Sequence, residues 1–141
     1  MYFLSVIGYY LIMMNEHTTR DYSLYSDVHK DAYGFRPRDW DRVEAMTDAE
    51  FEEEIDYLCK RAQEEAERED REEAAALARW QERISAEAAA QSVDVATMVR
   101  WEMQAQDEDW VEHYVWDQGI GCGRHMTAAK EWLRGHGVER V

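Results

Sequence analysis

The sequence predicts an all-α protein, and three observations carry that prediction. Only one of the 141 residues is proline, while Ala, Glu and Arg, all strong helix formers, are abundant. Neither glycine nor proline interrupts residues 47–90. Within that stretch Phe51, Ile55, Leu58 and Ala62 follow four-three-four spacing and define one apolar helix face. Hydrophobic content of 45% and six tryptophans argue against disorder of the whole chain.

Residues 1–14, MYFLSVIGYYLIMM, carry no charge and form the first segment. They fall short of the ~20 apolar residues of a membrane-spanning helix. They also lack the basic stretch and small-residue cleavage site of a signal peptide. A buried strand, a docked helix, and an extension upstream of a natural start at Met13 or Met14 all stay open. The abrupt switch to Asn15-Glu16-His17-Thr18-Thr19-Arg20 motivates the last.

Residues 15–46 read as an irregular aromatic connector with one short helix. Ser26 is its expected N-cap and Gly34 its stop, because glycine best tolerates a left-handed backbone. Pro37 drives Arg36 toward an extended conformation, so 33–38 is expected to be an ordered turn with its aromatics folded onto a helix.

The main helix, 47–90, opens on a capping box, Thr47-Asp48-Ala49-Glu50, with Met46 and Phe51 as a hydrophobic staple. Asp48, Glu50 and Glu52 place negative charge at the positive end of the helix dipole. The apolar stripe thins out over 63–73, where Glu64–Arg68 and Glu67–Arg71 stand four apart, and returns at Leu77, Trp80, Ile84 and Ala88. One rod of about 44 residues, ~66 Å at 1.5 Å per residue, is the default, with a break near 68–71 as the competing geometry.

Residues 91–141 read as a compact unit of three short helices in which most tryptophans find partners. Ser92 is the expected cap of the first, with Val95, Met98, Val99 and Met103 inward. Asp107 or Asp109 begins the second, which Gly119 ends. Thr127 caps the third, with Ala128, Ala129, Trp132 and Leu133 inward and Gly135 closing it.

Charge is the feature with functional content. The chain holds 31 acidic and 16 basic residues, a net −15, and the stretch Glu44–Glu73 alone holds fourteen acids and four bases, about −10. This argues against direct nucleic-acid binding and for a partner with a basic groove. Carboxylates on one helix face recur every ~5.4 Å, against ~6–7 Å for strand phosphates, so such a helix can stand in for a nucleic acid. Glu64, Glu65, Glu67, Glu69, Asp70, Glu72 and Glu73 are the expected partner-binding residues, with Glu52, Glu53 and Asp56 next.

Catalytic and metal readings are thin. Cys122 and His125 have the separation of a zinc-ligand pair, but Cys59, His113 and His136 do not supply a matching second pair. Gly119-Ile120-Gly121-Cys122-Gly123 lacks the Lys-Ser/Thr of a phosphate loop. No oxyanion loop or orienting partner accompanies Cys122 and a histidine. No enzyme activity, metal or cofactor is expected, and two cysteines make no disulfide framework, which suits a cytoplasmic setting.

Tyr25-Ser26-Asp27-Val28-His29-Lys30-Asp31-Ala32-Tyr33-Gly34-Phe35-Arg36-Pro37-Arg38 resembles a signature of small acidic proteins encoded by phages and prophages. These carry a Ser-Asp-x-x-Lys-Asp-x-x-Gly-x-Arg-Pro core ahead of a Glu/Ala-rich helix. Residues 99–103 and 110–120 are similar to that group's carboxy-terminal pattern, so the resemblance covers roughly residues 21–120; residues 1–14 depart from it. It carries over no catalytic residues. Phage origin implies a stoichiometric binder of a host protein, such as the anti-CRISPR and antirestriction proteins that occupy nucleic-acid channels, acting in the host cytoplasm. The alternative is a helical adaptor that forms a homodimer through Phe51, Ile55, Leu58, Leu77, Trp80 and Ile84. No membrane association is expected.

Overall fold

The computed structural model describes residues 20–139 and 141. The apolar segment 1–14, whether strand, docked helix or extension upstream of Met13 or Met14, lies outside the described residues. Among the described residues the secondary structure is helical, without strands: α1 Tyr22–Tyr33, α2 Trp40–Ala45, α3 Asp48–Ala90, α4 Val95–Ala105, α5 Val111–Trp116 and α6 Arg124–Gly135. The fold is all-α around one long acidic helix, as the sequence predicts. No helix among the described residues is long and apolar enough to cross a membrane.

Two compact units divide the chain, one ending at Glu69 and the other beginning at Asp70, and α3 contributes residues to both. The amino-terminal unit is built on Tyr25, Val28 and Ala32 of α1, Val43 of α2, and Phe51, Ile55 and Leu58 of α3. Each fully buried Val, Ile or Leu contributes about 1.5–3 kcal/mol. Tyr25 stacks on Phe51 with ring centroids 5.4 Å apart, and Met46 packs on the same core.

Asp21, rather than Ser26, caps α1, its Oδ1 accepting from the Leu24 amide at 2.9 Å. The helix starts early because Tyr25 and Val28 must both lie on its buried face. Ser26 falls inside the helix, and its hydroxyl accepts from Arg36 Nη1 at 2.9 Å. Gly34, at φ 83°, stops α1 as expected, its N–H donating to the Lys30 carbonyl at 2.7 Å. The short helix α2 is an addition to the expected connector. Asp39 Oδ1 accepts from the Arg42 amide at 3.1 Å to cap it, and the buried Val43 anchors it.

The capping box of α3 forms reciprocally. The Thr47 amide donates to Glu50 Oε2 at 2.8 Å, and the Glu50 amide donates to Thr47 Oγ1 at 3.2 Å. The helix then runs unbroken through 68–71, although no residue from 59 to 75 is fully buried. Arg68 forms an ion pair with Glu65, three residues back; the sequence suggested Glu64.

In the carboxy-terminal unit, Ala76, Trp80, Ile84 and Ala88 stand four apart on α3. They form one core with Met98 and Val99 of α4, Val111, Tyr114 and Val115 of α5, Ile120, and Met126, Ala129 and Leu133 of α6. Leu77 is only half-buried, because the four-residue rhythm centres the face on Ala76. Trp80 Nε1 donates to Tyr114 Oη at 3.1 Å, and Tyr114 Oη donates to Glu102 Oε2 at 2.6 Å. Arg83 completes this network by binding the Glu102 carboxylate.

The helix ends in this unit depart from the expected caps. Ser92 has φ 57° and closes α3 instead of opening α4: its N–H donates to Ala89 O at 3.1 Å, and the Val93 N–H to Ala88 O at 3.0 Å. This is a Schellman stop with serine at the left-handed position. Asp94 caps α4, accepting from the Thr97 amide at 2.7 Å. Asp107, at φ 53°, closes α4 in the same way, so neither it nor Asp109 starts α5. Trp110 occupies that N-cap, and Glu108 Oε1 accepts from its amide at 2.8 Å. The last helix begins at Arg124, ahead of Thr127, and Gly135 lies within it; Gly137, at φ 82°, is the left-handed stop.

Candidate functional site

Of the ten acidic residues expected to meet a partner, Glu52, Glu53, Asp56, Glu64, Glu67 and Glu69 are exposed on α3 in the amino-terminal unit. Glu67 accepts from the neutral Gln63, Nε2 to Oε1, at 3.1 Å. Glu65 is half-buried. Its hydrogen bond with Arg68 holds its carboxyl below the usual range.

Asp70, Glu72 and Glu73 lie in the carboxy-terminal unit. Glu72 is exposed and Glu73 half-buried. Asp70 is turned inward. Arg124 Nε donates to its Oδ1 at 3.0 Å, and His125 Nε2 stands 2.9 Å from the same oxygen. Arg124 first, then His125, lower the Asp70 pKa. Asp70 therefore ties α3 to the start of α6, and its charge is answered within the unit. A Cβ added to Gly121 would meet the Glu73 carboxylate, so this loop runs close against it.

The same cluster positions His125. Asp70 orients His125, a partner invisible in local spacing because 55 residues separate the two. Cys122 is exposed, and no cluster of three or more His, Cys, Asp or Glu among the described residues is arranged to hold a metal ion. Cys59 is half-buried, and burial, then Asp56, push its thiol pKa up.

The faces assigned to a dimer seam are turned into the chain itself. Phe51, Ile55 and Leu58 are buried in the amino-terminal core, Trp80 and Ile84 in the carboxy-terminal core, and Leu77 is half-buried. The tryptophans depart from expectation in the opposite direction. Trp101, Trp110 and Trp116 are 46%, 66% and 60% exposed, which leaves Trp80 and Trp132 to pack against each other at 5.1 Å.

A second charged constellation lies in the amino-terminal unit. Arg42 of α2 grips Glu54 of α3 with two bonds, Nη2 to Oε1 at 2.9 Å and Nη1 to Oε2 at 3.2 Å. Tyr25 Oη donates to Glu54 Oε1 at 2.6 Å. Arg42 first, with Tyr25 assisting against the cost of burial, lowers the Glu54 pKa. Burial, followed by the bond to Glu54, pushes the Tyr25 phenol up to about 12. Beside this pair a cleft of about 670 Å³ is lined by Tyr33, Arg42, Ala45, Met46, Glu50, Glu53, Glu54 and Tyr57. Glu50, Glu53, Glu54 and Tyr57 share one face of α3 by their spacing, a pattern legible in the sequence. The contribution of Tyr33 and Arg42 from separate helices is not. Tyr33 and Phe35 are 39% and 52% exposed, but Phe35 packs edge-on against His29 of α1 at 5.4 Å between ring centroids, so the turn after α1 folds its aromatic back onto a helix as expected.

Comparison of the chain with protein-family models, characterised proteins and solved structures found no match.

Proposed function

We propose that the protein is a non-enzymatic phage accessory protein that binds a basic surface on a host nucleic-acid-binding protein through the acidic face of α3. A CRISPR or restriction nuclease complex in the host cytoplasm is the class of partner that this chemistry fits. One observation carries the reading: α3 continues through a segment with no fully buried residue, and there Glu64, Glu67 and Glu69 stay exposed. A helix that buries so little of itself offers its carboxylates at low cost, and a field of one sign attracts arginines and lysines that otherwise meet phosphate.

The test is a triple charge reversal, Glu64→Lys, Glu67→Lys and Glu69→Lys. All three positions are surface sites, and circular dichroism verifies that the helix persists. The partner is identified by affinity capture from host lysate with mass spectrometry, and its dissociation constant is then measured against salt. Binding should weaken by about tenfold or more, with a flatter salt dependence. Binding equal to that of the unaltered chain at every salt concentration removes the acidic face from the interface.

A further inference from the structure

We propose that the cleft beside α2 and the first turns of α3 docks one arginine side chain of a protein partner. This rests on the reading that the partner presents a basic surface, and adds to it a specific anchoring point.

The lining has the composition that a guanidinium needs. Three carboxylates, Glu50, Glu53 and Glu54, face one cation, Arg42, and the rings of Tyr33 and Tyr57 stand among them. Two of the carboxylates are already committed. Glu50 accepts from the Thr47 amide, and Glu54 is held by Arg42 and Tyr25. Glu53 is exposed and open to an incoming group. Glu50 and Glu54, fixed by those bonds, frame the site without moving to meet a ligand, which limits the entropy lost on binding.

One ring of the lining already holds a guanidinium within the chain. The Arg61 guanidinium lies 4.9 Å from the Tyr33 ring centroid, although Arg61 does not line the cleft. Tyr57, 55% exposed, offers a second ring of the same kind. A planar guanidinium stacks on a tyrosine face and donates two parallel bonds to a carboxylate, a combination open to arginine and poorly matched by lysine. Arginine and tyrosine are also the residues that most often carry binding energy at protein interfaces.

The experiment titrates the isotope-labelled full chain with the blocked tripeptide acetyl-Gly-Arg-Gly-amide, followed by NMR. Its lysine and citrulline counterparts serve as controls. Saturable shifts centred on Tyr33, Arg42, Glu53 and Tyr57 are expected with arginine, weaker shifts with lysine and none with neutral citrulline. Glu53→Gln and Tyr57→Ala should each weaken binding by about fivefold or more. The Glu64→Lys, Glu67→Lys, Glu69→Lys variant should bind within about twofold of the unaltered chain, because Glu53 and Tyr57 are intact and distant surface charges are screened. Equal shifts with citrulline, or loss of binding in the triple variant but not in Glu53→Gln or Tyr57→Ala, would overturn the proposal. So would tighter binding of free L-arginine than of the blocked peptide, which marks an amino-acid site. Titration of the cleft in the absence of any captured host partner would sink the host-inhibitor reading and leave the arginine site standing.

Discussion

At the scale of single residues, Ser92 and Asp107 carry the clearest signal. Each adopts a left-handed conformation at a helix stop, φ 57° and φ 53°, a position where glycine carries no Cβ penalty. Ser92 looks like an N-cap in the sequence because serine most often serves there, and Asp94 two residues on looks like first-turn charge. The backbone assigns the opposite roles. Replacing Ser92 with glycine should therefore stabilise the protein by about 0.5–1 kcal/mol in urea unfolding. A loss of stability would restore Ser92 to the capping role. Gly34 was legible for the same physical reason in reverse: a lone glycine after an amphipathic run has few other uses.

At the scale of elements, α3 was the most legible part of the chain. Its capping box, apolar spacing and freedom from glycine and proline are all local properties. Helix α2 was obscured because six residues are too few to show a periodicity, and a single buried valine anchors them. The two ends of α3 differ from its middle in what holds them. Phe51, Ile55 and Leu58, and later Trp80, Ile84 and Ala88, are locked into cores, whereas 63–69 relies on pairs such as Glu65–Arg68. Pairs of that kind contribute about 0.2–0.5 kcal/mol each. Backbone amides of 63–69 should accordingly exchange with deuterium at least about tenfold faster than those of 51–58 and 80–88. Uniform protection along the whole helix would show that something else stabilises its middle.

For the whole molecule, two opposing electrostatic effects set the response to pH. A net charge of −15 drives self-repulsion that protonation relieves. Against it stand Glu54 and Glu102, both held below their usual pKa. Arg42 dominates at Glu54; at Glu102 burial acts upward but is outweighed by Arg83 and Tyr114. A carboxylate with a lowered folded pKa adds stability above its unfolded value, about 4.3. That contribution is lost as pH falls through the lower folded value. Stability should therefore hold or rise from neutral pH toward about 5 and then fall below about 4. Glu54→Gln should be less stable at neutral pH and lose part of the acid decline, read by urea unfolding at stepped pH. Parallel curves for the two proteins would show that the Arg42–Glu54–Tyr25 group contributes nothing.

Helix class, the span of α3 and its excess of negative charge follow from the order of residues alone, because propensity, capping and periodicity act over a few neighbouring positions. The tertiary structure decided which carboxylates remain available: Asp70 is drawn to Arg124 and His125, and Glu54 to Arg42 and Tyr25, while Glu53, Glu64, Glu67 and Glu69 stay exposed. It alone brought Tyr33 and Arg42 to the tyrosine and carboxylates of α3. The hydrogen-bonded partners among these lie 12 to 55 residues apart in the chain, and pairing over such distances depends on how separate helices pack, which local spacing does not encode.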